Sequence, residues 1–349
     1  MKEKLNLLKP TEFNDIVAMN ALYRPGPMAQ IEVYVRRKNK EEQVVYPHPH
    51  LEKILKDTYG VIVYQEQIML IAVNFAHMSL NEADNMRRAV SKKKKEDLEY
   101  YGRIFIEKSV DAGYDIKVAE KLFDLIVTFA NYGFNKSHAV VYSMLAYRLA
   151  YLKVYYTKYF MTALLNNVIS SEKKINEYKQ ELMNLGINLV KPDVNRSLSN
   201  FRVFKNDIVF ALTAIKNVGY RSSYEIVQDR INFGSYLDID DFLKRMNKKV
   251  DYQAAVSLVK AGALDTFGYN RATLMKKVND YYSDNRQFIN NVRVALSAES
   301  GLTLKVEEIE DYSITEKIQM EKEVTGTYFL KHPVQVEKEK YAYLPLQYI

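Results

Sequence analysis

The chain has 349 residues, 48% of them hydrophobic, enough for two domains with separate cores and too apolar for a disordered chain. It contains no cysteine, which excludes disulfides and thiolate metal sites and makes a reducing, cytoplasmic setting the expected one. The net charge of +7 is modest, but "MRRAVSKKKK" (86–95) holds six basic and no acidic residues, and no acidic residue occurs from Asn131 to Ser171. Positive charge so concentrated faces a polyanion or bare solvent.

In chain order, the opening "MKEKLNLLKPTEFND" has no apolar run of signal-peptide length. "RPGP" (24–27) fixes a tight turn, and Arg24 within it is read as a cap on a neighbouring helix in preference to a nucleic-acid contact. His48 and His50 are the only histidines close in sequence; "YPHPHLEK" lacks further ligands at zinc spacing and reads as a helix opening. In "YQEQ" (64–67) the polar groups flank apolar runs and are expected at the edge of the core, satisfying backbone atoms. "SLNEADNMRRAV" starts with Ser79 and Glu82 at capping-box spacing and predicts an amphipathic helix with Arg87 and Arg88 near its end. Val118, Leu122, Leu125, Ile126 and Phe129 predict another, closed by "NYG" with Gly133 as a left-handed cap.

"NYGFNKSHAV" (131–140) then gathers Tyr132, Asn135, Lys136, Ser137 and His138 ahead of a new helix. A helix starting near Ser137, with Ser137 as N-cap, would aim free N–H groups and its positive dipole end at an anion beside Lys136. The alternative is a plain connection between helices. A phosphate loop is ruled against, because the glycine spacing is wrong and a helix, not a strand, precedes it. The apolar stretch Ala139–Leu165 is interrupted by Arg148, Lys153 and Lys158, so no membrane span is implied, and its tyrosines are expected to pack in a core.

Further on, "FRVFKNDIVFAL" predicts a β-hairpin around Asn206-Asp207. "LTAIKNVGYRSSYEIVQDR" predicts two helical patterns joined by "KNVG", a helix-hairpin-helix in which Asn217 replaces the first turn glycine by entering the left-handed region. Such a hairpin offers backbone N–H groups to a phosphate without reading bases, through Lys216, Asn217 and Gly219. "LVKAGALDTFG" with "NRATL" reads as a degenerate second copy around Gly262. Asp238, Asp240 and Asp241 in "YLDIDDFLKR" imitate a metal-binding spacing but fit an acidic helix start. Beyond Tyr282 the sequence turns polar and is expected to be extended.

"ALYRPGPM" (21–28), "TYGVIVYQEQIM" (58–69), "NMRRAVSKKK" (85–94), "YGFNKSHAVVYSMLAYRLAYLK" (132–153), "PDVNRS" (192–197) and "FALTAIKNVG" (210–219) stand together in one order. That order resembles the alpha subunits of bacterial DNA polymerase III, the C-family replicative polymerases, in their DnaE-type branch. Val90 and Ser91 depart from a usual Met-Gly, and Lys191 from a frequent proline. The resemblance implies a mainly α fold: a polymerase fingers domain at about 1–200, a small β-hairpin with a tandem helix-hairpin-helix DNA-binding domain at 201–290, and a polar tail at 291–349.

It further implies that Arg87, Arg88 and Lys136 meet the triphosphate of an incoming dNTP, with Asn135, Ser137 and neighbouring N–H groups as donors and Tyr132 and His138 against sugar or base. Lys92, Lys93 and Lys94, with the hairpin residues, would meet primer-template DNA. The catalytic carboxylates and their Mg2+ are expected in a palm domain upstream of this chain, so no catalytic or metal residue is assigned here. A sliding clamp and other replisome subunits are the implied protein partners, with "GLTL" (301–304) as the nearest clamp candidate. The rival reading is a stand-alone protein that binds nucleic-acid backbone without catalysis.

Overall fold

The computed structural model describes residues 1–92, 95–130, 132–291 and 308–331. Two compact units divide at Tyr151/Leu152. Among the described residues there are sixteen α-helices and one three-stranded sheet, so the chain is mainly α as expected.

In the first unit, helices Lys2–Leu8, Phe13–Leu22 and Gln30–Lys38 enclose one apolar cluster, including Val17, Met19, Leu22, Ile31 and Tyr34. Helices Gln65–Phe75, Leu80–Lys92, Lys95–Asp111 and Ile116–Ala130 enclose another, including Ile68, Phe75, Met86, Phe105, Leu122 and Ile126. The extended segment 61–64 serves both, because successive side chains of extended backbone point to opposite sides. Val61 and Val63 enter the first cluster while Ile62 enters the second. The capping box is formed: Ser79 N–H donates to Glu82 at 2.7 Å and Glu82 N–H to Ser79 Oγ at 3.2 Å. "HPH" opens a helical run as read, a single 3-10 turn Pro49–Leu51 leading into helix Glu52–Leu55.

Helix Lys136–Tyr155 departs from expectation. Its buried residues are Ala139 and Ser143, while Tyr142, Tyr147, Tyr151 and Tyr155 are exposed, as are Tyr156 and Tyr159 beyond it. Apolar residues occur all round this helix, so the sequence alone could not tell a packed side from an open one.

In the second unit, β2 (Arg202–Phe204) and β3 (Asp207–Val209) form the expected hairpin, with the turn at Lys205-Asn206, one position earlier than read. β1 (Leu189–Val190) pairs in parallel with β3, giving the order β1-β3-β2. That pairing draws residues before 200 into the second unit, whereas sequence texture changes only after 200. The hairpin is followed by a single 3-10 turn, Leu212–Ala214, where an α-helix was expected, because β3 and the "KNVG" turn leave room for little more. Helices Thr157–Asn167, Glu172–Asn184, Tyr220–Phe233, Ile239–Arg245, Tyr252–Lys260, Arg271–Asn291 and Ile314–Thr325 complete the unit.

The last of these helices corrects the reading of an extended tail. Ile318 and Val324 are buried, and Glu321 is fully buried, accepting from Arg271 at 2.7 Å and from the Phe329 and Leu330 N–H groups at 2.6 and 3.2 Å. Buried charge survives only where paired and hydrogen-bonded, and no local pattern announces such a partner.

Candidate nucleic-acid interface

The "NYGFNKSHAV" stretch is pinned to the segment before helix Gln65–Phe75. Phe134 N–H donates to the Val63 carbonyl at 3.1 Å and Gln65 N–H to the Phe134 carbonyl at 3.0 Å, a parallel bridge. Gly133 sits against Gln65, where a Cβ would lie 3.2 Å from Cγ. Its φ is not positive, so it serves the close approach of Gln65 and not, as read, a left-handed cap. Gln67 bonds the Val63 and Tyr64 N–H groups at 2.8 and 3.0 Å, the backbone service expected of "YQEQ".

The helix begins earlier than expected, at Lys136. Asn135, not Ser137, is the N-cap: its Oδ1 accepts from the His138 N–H at 2.8 Å, as asparagine does well at that position. The Lys136 N–H donates to both oxygens of Glu66 at 3.0 Å, and Asn135 Nδ2 donates to the same carboxylate at 3.1 Å. The helix mouth therefore already holds an anion, the Glu66 carboxylate, and the Ser137 N–H has no partner among the described residues.

Three consecutive residues tie the basic groups together. Lys136 Nζ lies 5.4 Å from the Tyr64 ring centre, Gln65 Oε1 accepts from Arg87 Nη1 at 3.2 Å, and Glu66 meets the helix start. Arg87 and Arg88 share one carboxylate: Asp84 lies 2.7 Å from Arg87 and 2.8 Å from Arg88, and its pKa is lowered, chiefly by the Arg87 hydrogen bond. The pair thus presents about one uncompensated positive charge rather than two, more of it on the exposed Arg88.

Arg24 is a structural cap, as read. Its Nε donates to the Ala21 carbonyl at 2.9 Å, its Nη2 to the Tyr132 carbonyl at 2.7 Å, and its guanidinium stacks 4.3 Å from the Phe134 ring centre. Tyr132 closes over Gly26, whose φ of 106° and contact with the ring leave no room for a Cβ. His138 is exposed between the Phe134 and Tyr142 rings, at 5.4 and 4.5 Å. Lys92 ends its helix, while Lys93, Lys94 and the clamp candidate 301–304 lie outside the described residues.

In the second unit, Lys216, Asn217, Gly219 and Tyr220 form a continuous exposed edge interrupted only by buried Val218. Asn217 adopts the left-handed conformation read from sequence, with φ of 65°, and its Nδ2 donates to Ser257 at 3.1 Å. The Lys216 N–H is taken by the Val324 carbonyl at 2.7 Å. Those of Gly219 through Ser222 have no partner among the described residues and open outward at the start of a 14-residue helix. Gly262 is different: it is buried, its N–H donates to Val259 at 2.9 Å, and Arg271 and Asp265 crowd its Cβ position. Its glycine is required by packing and by a φ of 73°, and its amide is closed to a phosphate.

The aspartate triplet is engaged in structure. Asp238 caps helix Ile239–Arg245 through the Asp241 N–H at 2.8 Å, Asp240 pairs with Lys277 at 3.0 Å and Asp241 with Arg245 at 3.1 Å. These residues do not fit a Mg2+ site, and among the described residues no three acidic or histidine groups converge. No helix among the described residues is long and apolar enough to cross a membrane.

The family model for the bacterial DNA polymerase III alpha subunit finger domain matches residues 1–113, and a helix-hairpin-helix motif matches residues 186–274. The DNA polymerase III subunit alpha of Bacillus subtilis is 43% identical over 338 residues, 96% of this chain and 30% of the relative. The chain belongs to the DNA polymerase III alpha-subunit family. Alpha subunits from Staphylococcus epidermidis and Borreliella burgdorferi are 42% and 37% identical, over 99% and 97% of the chain. The chain spans 30 to 32% of the length of these alpha subunits. Their similarity runs through "NYGFNKSHAV" and the hairpin alike, whereas the finger-domain match ends before the former.

Proposed function

We propose that this chain supplies the nucleotide-holding fingers and a DNA-backbone-holding hairpin of a replicative DNA polymerase, acting on dNTP and primer-template DNA. The observation carrying this reading is the meeting of Arg87, Lys136 and the helix start on Tyr64, Gln65 and Glu66, within a chain 43% identical to a named alpha subunit. Fixed cations and N–H groups suit nucleotidyl transfer, where negative charge develops on departing pyrophosphate. Lys136, with an exposed side chain, and Arg88 supply the charge, while Ser137 offers the remaining free amide of the helix start. A triphosphate reaching the other N–H groups displaces Glu66. The Mg2+ chemistry is assigned to parts of the relatives that this chain does not span, as are the contacts with a sliding clamp and other replisome subunits.

Binding of dNTP to the 349-residue chain tests the reading. Lys136→Ala removes a charge-assisted phosphate contact, so affinity should fall about ten- to a hundredfold with melting unchanged. Equal affinity of the two proteins would reject the nucleotide role and leave 131–140 a connection between helices.

A further inference from the structure

The Glu66 carboxylate stands where two helices begin. Glu66 is the second residue of helix Gln65–Phe75, and from that helix's first turn it reaches the start of helix Lys136–Tyr155. Both of its oxygens accept from the Lys136 N–H at 3.0 Å, and one also accepts from Asn135 Nδ2 at 3.1 Å. A helix start carries a positive dipole end and favours an anion within its first turn.

The neighbours of Glu66 carry the structural duties. Gln67 is buried and accepts from the Val63 and Tyr64 N–H groups at 2.8 and 3.0 Å, while the Gln65 N–H meets the Phe134 carbonyl at 3.0 Å. The junction between the segment 61–64 and residue 134 is therefore held without Glu66, which is only half-buried. Nor does Glu66 neutralise the nearest side chain. The Lys136 ammonium lies 5.4 Å from the Tyr64 ring centre and pairs with no carboxylate among the described residues. Glu66 thus occupies the N–H groups of the helix start and leaves the lysine charge available to a second anion.

We infer that Glu66 is an internal competitor for the triphosphate: seated, it closes the helix start to a phosphate, and displaced, it opens the Lys136 N–H and the Asn135 amide to one. The inference rests on the nucleotide reading above and deepens it, making Glu66 the residue that sets how tightly the chain holds dNTP. A ligand's apparent affinity is its intrinsic affinity scaled by the fraction of molecules in the competent state. A seated carboxylate keeps that fraction low. A polyphosphate brings more negative charge than one carboxylate, and further oxygens for the Lys136 ammonium, so it wins an exchange that a neutral group loses.

The test is binding of dNTP, inorganic tripolyphosphate and a deoxynucleoside to the 349-residue chain and two variants. A neutral amide makes hydrogen bonds about half as strong as a carboxylate's, so Glu66→Gln should tighten dNTP and tripolyphosphate about three- to tenfold. Deoxynucleoside binding should not change, because it has no phosphate to compete for the seat. Glu66→Asp keeps the charge but withdraws the oxygens by one methylene, and should tighten both phosphate probes by a smaller factor. Unchanged or weaker dNTP binding in Glu66→Gln overturns the inference, as does a gain that extends to the deoxynucleoside. A gain in Glu66→Gln with none in Glu66→Asp also overturns it, by assigning the effect to net charge alone. If both variants lose binding together with a collapse in melting, Glu66 is a structural clamp and the inference fails. Lys136→Ala reports on the nucleotide reading separately: if it weakens dNTP binding while Glu66→Gln fails to tighten it, the competitor role alone is rejected.

Discussion

Replacing Asn135 or Ser137 by alanine distinguishes the observed helix start from the one read in the sequence. Asn135 caps the helix through the His138 N–H at 2.8 Å and reaches back to Glu66 at 3.1 Å. Losing an N-cap costs about 1 kcal/mol, and losing one exposed hydrogen bond adds about 0.5 kcal/mol. Asn135→Ala should therefore destabilise the first unit by about 1.5 kcal/mol, a melting shift of about 3–6 °C for a body of this size. Ser137 is exposed in the first turn and caps nothing, so Ser137→Ala should stay within about 0.5 kcal/mol. Scanning calorimetry of the three proteins measures both shifts. A larger loss from Ser137→Ala than from Asn135→Ala would refute the assignment of the cap and, with it, the seating of Glu66 at the helix start.

Gly219 has φ of −69° and nothing within 4 Å of its Cβ position, so Gly219→Val should melt like the parent while binding unrelated duplexes more weakly by a common factor; unchanged affinity in filter binding or anisotropy would remove the hairpin from the DNA path. Glu321→Ala leaves Arg271, which is 3% exposed, with Asp265 as its remaining carboxylate and removes the acceptor of the Phe329 and Leu330 N–H groups, so it should destabilise the second unit by about 1–3 kcal/mol in urea unfolding; a change below about 0.5 kcal/mol would show that the 314–330 segment is dispensable to that core. The Glu82 carboxyl is drawn down to about 2, first by Lys108 and then by the Ser79 amide and hydroxyl. Its folded pKa lies below the ordinary 4.5, so its contribution is complete above the ordinary value and disappears as pH falls through the folded one. In an NMR titration, Lys108→Met should raise the Glu82 midpoint, and an unmoved midpoint would dissociate Lys108 from the capping box.

Local patterns carried a large part of this protein. The Ser79–Glu82 capping box, the apolar stripe ending at Phe129, the β-hairpin, the left-handed Asn217 and the acidic start at Asp238 all depend on neighbours within a few residues, and sequence spacing records those neighbours. The ordered motifs from "RPGP" to "KNVG" likewise pointed to the family before any contact was known. Tertiary structure decided what depends on partners distant along the chain. Glu66 meets Lys136 across seventy positions, so the occupied helix mouth could not be read from "NKSH" alone. Gly133 is fixed by the approach of Gln65, and Glu321 by Arg271 fifty positions away. Spacing along a chain encodes periodicity and caps; which charge faces another, and which is left without a partner, is fixed only when the packed core sets distant segments side by side.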